Sequence, residues 1–159
     1  MSRIKQLWDT HFLGFGLILS ILGGILFTIW VFRFSGSVVV ESILHGNRSA
    51  VYGALASIYG SLLGFVITAL SIIIGYSTNE KFEFLRKSKH YPTLWKVLIS
   101  TIRALSAATI VMVISLVFDR DGSPQYLIFC VCVFTILLSL FRLWSCIWVL
   151  ENVILIIIQ

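Results

Sequence analysis

The sequence predicts an all-α integral membrane protein: a bundle of four transmembrane helices with both termini in the cytoplasm and an over-long last helix. The 159 residues are 58% hydrophobic and 12% charged, with a mean hydropathy of +1.00, whereas a soluble domain carries about 25% charged residues. Four apolar runs are each long enough for a helix to cross about 30 Å of hydrocarbon. Lys and Arg gather in the segments on one side of these runs, which marks the cytoplasmic side.

The four predicted spans leave no room for a second folded unit, so residues 1–159 are expected to form a single transmembrane domain. The first two spans, at about 12–31 and 50–76, contain no charged residue. The third (97–118) is interrupted only by Arg103, and the fourth (126–148) only by Arg142. Helices are the expected structure because they satisfy their own backbone hydrogen bonds where no water is available.

The fourth apolar run continues over residues 149–159 as an isoleucine-rich extension. A continuous helix from Tyr126 to Gln159 would be about 50 Å long, which exceeds the thickness of the hydrocarbon. Large exposed apolar surfaces usually mark an interface, so the extension favours an oligomer in which these tails meet. The alternative is a helix that lies along the inner surface of the membrane.

The orientation follows from the basic residues. Seven of the 12 lie in the N-terminal segment and the loop between spans two and three, three lie in the other loops, and two lie within spans. This excess predicts a multi-pass protein of the plasma (inner) membrane with both termini inside. The basic loop contributes Lys81, Arg86, Lys87, Lys89 and Lys96. It is either a topology signal alone or a short helix whose side chains contact anionic lipid head groups, at about 1 kcal/mol for each basic residue.

Span two carries small residues at helical spacing along its whole length, which we call the span-two stripe. It consists of Gly53, Ser57, Gly60, Ser61, Gly64, Thr68, Ser71 and Gly75. Such a stripe permits close packing of helices, which drives association in lipid, or it lines a narrow water-filled path with hydroxyl and carbonyl groups. Span one has a matching stripe of Gly16, Ser20, Gly24 and Thr28, so we expect spans one and two to pack along these faces.

The two arginines within spans are expected at similar depth in the inner half of the membrane, from the helical rise of about 1.5 Å per residue. An intramembrane charge usually faces protein or water. Four interpretations of Arg103 and Arg142 stay open: side chains that snorkel to the inner head groups, an ion pair with Glu151 or Asp9, a ring of guanidinium groups that favours anions at a pore mouth, and contact with a phospholipid head group.

The outer loop between spans one and two predicts a short helix over residues 38–45 that dips at the outer surface. Glu41 and His45 would share a face of it, but a third ligand is missing nearby, so we read the pair as structural rather than metal-binding. The three cysteines lie within apolar sequence without zinc or disulfide spacing and read as small packing residues.

For function, we expect a homo-oligomeric ion channel or pore, anion-selective or regulated by lipid at its cytoplasmic side. The chain contains no recognised catalytic or phosphate-binding motif, so we expect neither an enzyme nor a cofactor. One short basic loop without a recognition motif also argues against nucleic acid as a partner. Two alternatives stay open: a non-conducting accessory or scaffold subunit of a larger membrane complex, and a membrane-depolarising toxin or defence effector.

Overall fold

A computed structural model describes the backbone of residues 3–76 and 91–158 and the side chains of residues 14–75 and 92–151. Its helices in these ranges are α1 (Arg3–Arg33), α2 (Gly36–Leu44), α3 (Arg48–Tyr76), α4 (Tyr91–Phe118) and α5 (Tyr126–Ile158). All but the short α2 are long and apolar enough to cross a membrane. The predicted four-span, all-α fold is therefore confirmed.

The last helix is as long as the sequence predicts. α5 runs for 33 residues without a break, which corresponds to about 50 Å at 1.5 Å per residue. About 20 residues of helix are enough to cross the hydrocarbon, so α5 is longer than a span requires. The contacts of the tail side chains, residues 152–159, lie outside the described residues.

A tight turn joins α1 to α2. Ser35 has a φ of 54°, in the left-handed region, and Gly36 follows it directly against the indole ring of Trp30. A Cβ at Gly36 would lie 2.7 Å from Trp30 Cε3, so a side chain does not fit there without a shift. The glycine therefore allows α2 to pack onto the end of α1.

The spans pack in the order α3, α4, α5 and α1, each helix against the next. The expected packing of span one on span two is therefore wrong. The glycines of α1 receive aromatic side chains of α5 instead: a Cβ at Gly24 would lie 3.1 Å from Phe134 Cδ2, and a Cβ at Gly16 would lie 3.4 Å from Phe141 Cβ. Large side chains on α5 fill the space that the small residues of α1 leave open.

α4 is the central helix of the bundle, and 39% of its apolar window is buried. We name the ends of the bundle after the predicted orientation: α4 begins at the inner end, and α2 lies at the outer end. Near the inner end, the buried residues Leu94, Val97 and Leu98 of α4 pack with Cys146 and Val149 of α5. Towards the outer end, a second buried cluster joins α3, α4 and α5; it consists of Tyr52, Tyr59, Leu105, Ala108, Met112 and Cys132. All three cysteines are buried, in agreement with their reading as packing residues.

Candidate functional site

The span-two stripe lies on the surface of the bundle. Gly53 is half-buried, and the other seven residues of the stripe are exposed. A Cβ placed at Gly53, Gly60, Gly64 or Gly75 would meet no atom of the described residues within 4 Å. Only 6% of the apolar window of α3 is buried, against 39% for α4. The helices that the structure describes therefore leave this face uncovered.

The stripe lies on the side of α3 away from the rest of the bundle. The side that packs carries the buried Tyr52 and Tyr59, and residues of the stripe such as Gly64 lie on the far side. The Thr68 hydroxyl donates to the carbonyl of Gly64 at 2.9 Å, which satisfies the donor within the helix. A face of this kind can pack against a second helix or line a polar path.

Arg103 and Arg142 lie at similar depth, as the sequence predicts. Thr101 of α4 donates to the backbone carbonyl of Arg142 at 3.3 Å, so Arg103 is only two residues, or about 3 Å, from that level. They do not lie on one face, however. Arg103 is exposed on the side of α4 opposite the buried Thr101, and Arg142 is half-buried near Ser139, on the packed side of α5.

Neither of these arginines forms an ion pair within the described residues, and Glu151 is exposed. The pair of Arg142 with Glu151 is therefore not formed in this part of the chain, and the side chain of Asp9 lies outside it. The basic residues Lys81, Arg86, Lys87 and Lys89 also lie outside the described residues. The described residues supply no carboxylate partner for either guanidinium group. Each guanidinium is left to contact a lipid phosphate, an anion or, by snorkelling, the water at the membrane surface.

A buried charged cluster at the outer end of the bundle was not expected from the sequence. We call Glu41, Arg48, Tyr52 and Asp119 the outer cluster. Arg48 is 0% exposed, and its Nη1 donates to the two carboxylate oxygens of Asp119 at 2.9 and 2.8 Å. Its Nη2 donates to the Glu41 carboxylate. The Tyr52 hydroxyl donates to Asp119 Oδ2 at 2.5 Å, and the backbone N–H of Gln125 donates to Oδ1 at 2.7 Å.

The outer cluster ties together α2, the start of α3, the end of α4 and the start of α5. Desolvating two charges is costly unless further hydrogen bonds satisfy them; besides the two bonds from Arg48, Asp119 accepts two more, from Tyr52 and Gln125. Arg48 Nε is the exception: it is buried without a hydrogen-bond partner among the described residues, and Asp121 Oδ1 lies 3.8 Å away. Such a network fixes the ends of these four helices relative to one another.

An open cleft of about 440 Å³ lies beside the outer cluster. It is lined by Ser37, Val38, Glu41, Ser42, His45 and Tyr126. Glu41 and His45 share a face of α2 as predicted, with 3.4 Å between Oε1 and Nδ1. Within the described ranges, no three His, Cys, Asp or Glu side chains are grouped in a way that could hold a metal ion.

Comparisons with protein-family models, with curated proteins and with solved structures find no match to this chain. Function must therefore be argued from the geometry. Three features carry that argument: the uncovered face of α3, the two arginines at one depth in the inner half, and the outer cluster with its cleft.

Proposed function

We propose that this small four-span membrane protein assembles into a homo-oligomer in which the span-two stripe of each copy faces an ion-conducting path. One observation carries the proposal: a face of small and hydroxyl-bearing residues runs the length of α3 and is left uncovered by the other helices. The proposal places the protein in the plasma membrane with both termini in the cytoplasm, and it includes no catalytic step and no cofactor.

The free-energy cost of glycine in a helix favours protein or water, rather than lipid, as the neighbour of the stripe. A glycine inside a helix costs about 1 kcal/mol relative to alanine, and Gly53, Gly60, Gly64 and Gly75 pack against nothing within the described residues. Small residues let helix backbones approach closely, and this packing is what drives helix association in lipid. We therefore propose that one edge of the stripe packs against α3 of a second copy and that the other edge faces the path.

The hydroxyl groups support a conducting path at the centre of such an assembly. Ser57, Ser61, Thr68 and Ser71 are all exposed on this face. Ser71 donates to the carbonyl of Ile67 at 2.9 Å, and its hydroxyl can rotate out of this bond to donate to a passing anion instead. Rings of such hydroxyl donors can replace part of an anion's hydration shell.

The arginines of the inner half bear on selectivity. Arg103 and Arg142 repeated around an axis would give the cytoplasmic half of the assembly an excess of positive charge, which favours anions and anionic lipid head groups. The basic loop of residues 81–89 would add to the same side. We therefore propose anions as the permeant species and anionic lipid as a regulatory partner, with no role for nucleic acid.

Single-channel recording of the purified protein in planar bilayers tests the proposal. We expect discrete conductance steps from the wild type and their loss in Gly64→Leu, which places a bulky side chain on the stripe. Phe65→Leu is the matched control, because Phe65 is 73% exposed on an adjoining face of α3; it should conduct as the wild type does. Absence of conductance under varied voltage, tension and calcium would contradict the proposal, and a stoichiometric co-purifying membrane protein would favour an accessory subunit.

A further inference from the structure

The short helix α2 has two unlike flanks on either side of its buried face. Gly36, Val40 and Leu44 form the buried face. On one flank, Val39 and Ile43 stand one turn apart and are 46% and 70% exposed. The other flank carries the polar residues Ser37, Glu41 and His45, which line the outer cleft together with Val38, itself 67% exposed. The first flank is therefore wholly apolar, and the second is mainly polar.

The packing of α2 sets its depth. Its buried residues Val40 and Leu44 pack in one cluster with Val31 of α1 and Cys130 of α5. Both of these partners lie inside the apolar windows of their spans, and Cys130 is one turn, or about 6 Å, inward from Tyr126. α2 therefore lies level with the outer ends of the spans rather than above them.

Further exposed apolar side chains lie at the same end of the bundle as the apolar flank. Phe32 and Phe34, at the end of α1 and in the turn to α2, are exposed, as is Leu127 at the start of α5. A second protein helix would be favoured by small residues that allow close approach. The flank instead presents branched side chains, Val39 and Ile43, so hydrocarbon is the better match.

We infer that α2 is an interfacial helix whose Val39 and Ile43 side chains insert among the acyl chains of the outer leaflet. Its opposite flank keeps Glu41 and His45 in a cleft that is open to water. Amphipathic helices with one apolar and one polar side lie in the membrane interface in this way. The partner of this surface is lipid hydrocarbon, and the inference holds whether or not the protein conducts ions.

Site-directed spin labelling of the full chain tests the position of α2. The variants Val39→Cys and Ile43→Cys carry nitroxides on the apolar flank, and His45→Cys carries one on the polar flank. The buried native cysteines are replaced by alanine in every sample. The proteins are reconstituted into phosphatidylcholine vesicles, and the collision rate of each label is measured with oxygen, which concentrates in hydrocarbon, and with a water-soluble nickel chelate.

Labels at Phe65 and Ser123 calibrate the hydrocarbon and water limits, because both positions are exposed. We expect a several-fold higher ratio of oxygen to nickel collisions at Val39 and Ile43 than at His45. A water-like ratio at Ile43 would overturn the inference by placing α2 outside the bilayer. Low collision rates with both reagents, together with spin–spin broadening, would also overturn it, because a second copy would then cover the flank.

Discussion

Removing the carboxylate of Asp119 should destabilise the bundle strongly. In Asp119→Ala, Arg48 loses both of the bonds that its Nη1 makes at 2.9 and 2.8 Å, and Tyr52 loses its acceptor at 2.5 Å. Arg48 is 0% exposed, so water does not replace the lost partner while the fold persists. Removing one member of a buried ion pair costs about 3–5 kcal/mol. We expect about 3 kcal/mol, the lower end of this range, because Glu41 still contacts Arg48.

Equilibrium unfolding in mixed micelles measures this loss, with helix content followed by circular dichroism as the fraction of denaturing detergent rises. Asp121→Ala is the matched control, since it removes the same charge two residues away. Asp121 is 38% exposed and lies 3.8 Å from Arg48 Nε, so its ion pair should contribute about 1 kcal/mol or less. The double variant Arg48→Met with Asp119→Leu should recover most of the stability, because apolar residues of similar volume commonly replace a buried ion pair without loss.

Two results would refute this reasoning. An Asp119→Ala protein that unfolds at the same detergent fraction as Asp121→Ala would mean that the buried pair contributes no more than a surface one. A double variant as unstable as Asp119→Ala alone would mean that the uncompensated charge on Arg48 is not the cause.

Three glycine substitutions distinguish the faces of the bundle. Gly24→Leu should lower the free energy of unfolding by about 1–3 kcal/mol, as overpacking does, because its Cβ would lie 3.1 Å from the ring of Phe134; an unchanged unfolding curve would contradict the packing of α1 on α5. Gly64→Leu adds a Cβ that meets no described residue and should convert the detergent-extracted particle to monomer in native mass spectrometry, whereas an intact oligomer would exclude the α3 contact. Gly36→Val should speed amide hydrogen exchange in α2, because its Cβ would lie 2.7 Å from Trp30; unchanged exchange would show that the turn tolerates a side chain.

Hydropathy predicts the spans because the bilayer imposes a fixed length and excludes charge. It is less informative at the ends of helices. α4 already includes Tyr91, six residues before the predicted start of its span at 97, because a helix continues through polar residues once they reach the interface. The depth of Arg103 and Arg142 was also predictable, since it depends only on helical rise, but the faces that they occupy depend on which helices are neighbours.

The two glycine stripes look alike in sequence and differ in the structure. Phe134 and Phe141 of α5 meet the glycines of α1, and no described residue meets those of α3. A stripe shows that close approach is permitted, but the approaching element is determined by tertiary packing. The sequence therefore could not assign a neighbour to either stripe.

The outer cluster could not be predicted for a related reason. Arg48 opens one span and Asp119 directly follows another, so both appear as ordinary loop charges beside apolar runs. They meet only because α3 packs against α4. Arg48 and Asp119 have opposite charges and lie at the outer ends of their spans. This pattern would have suggested the ion pair if the two spans had been known to be neighbours.

Single-channel recording of Ser61→Cys in planar bilayers, before and after a charged methanethiosulfonate is added, tests the central claim most directly. The native cysteines are buried, so the reagent should act at the stripe alone. If the stripe of α3 faces a conducting path, the modification should block the current in this variant and spare Phe65→Cys. An absence of current, or a current that modification of Ser61→Cys leaves unchanged, would contradict the account.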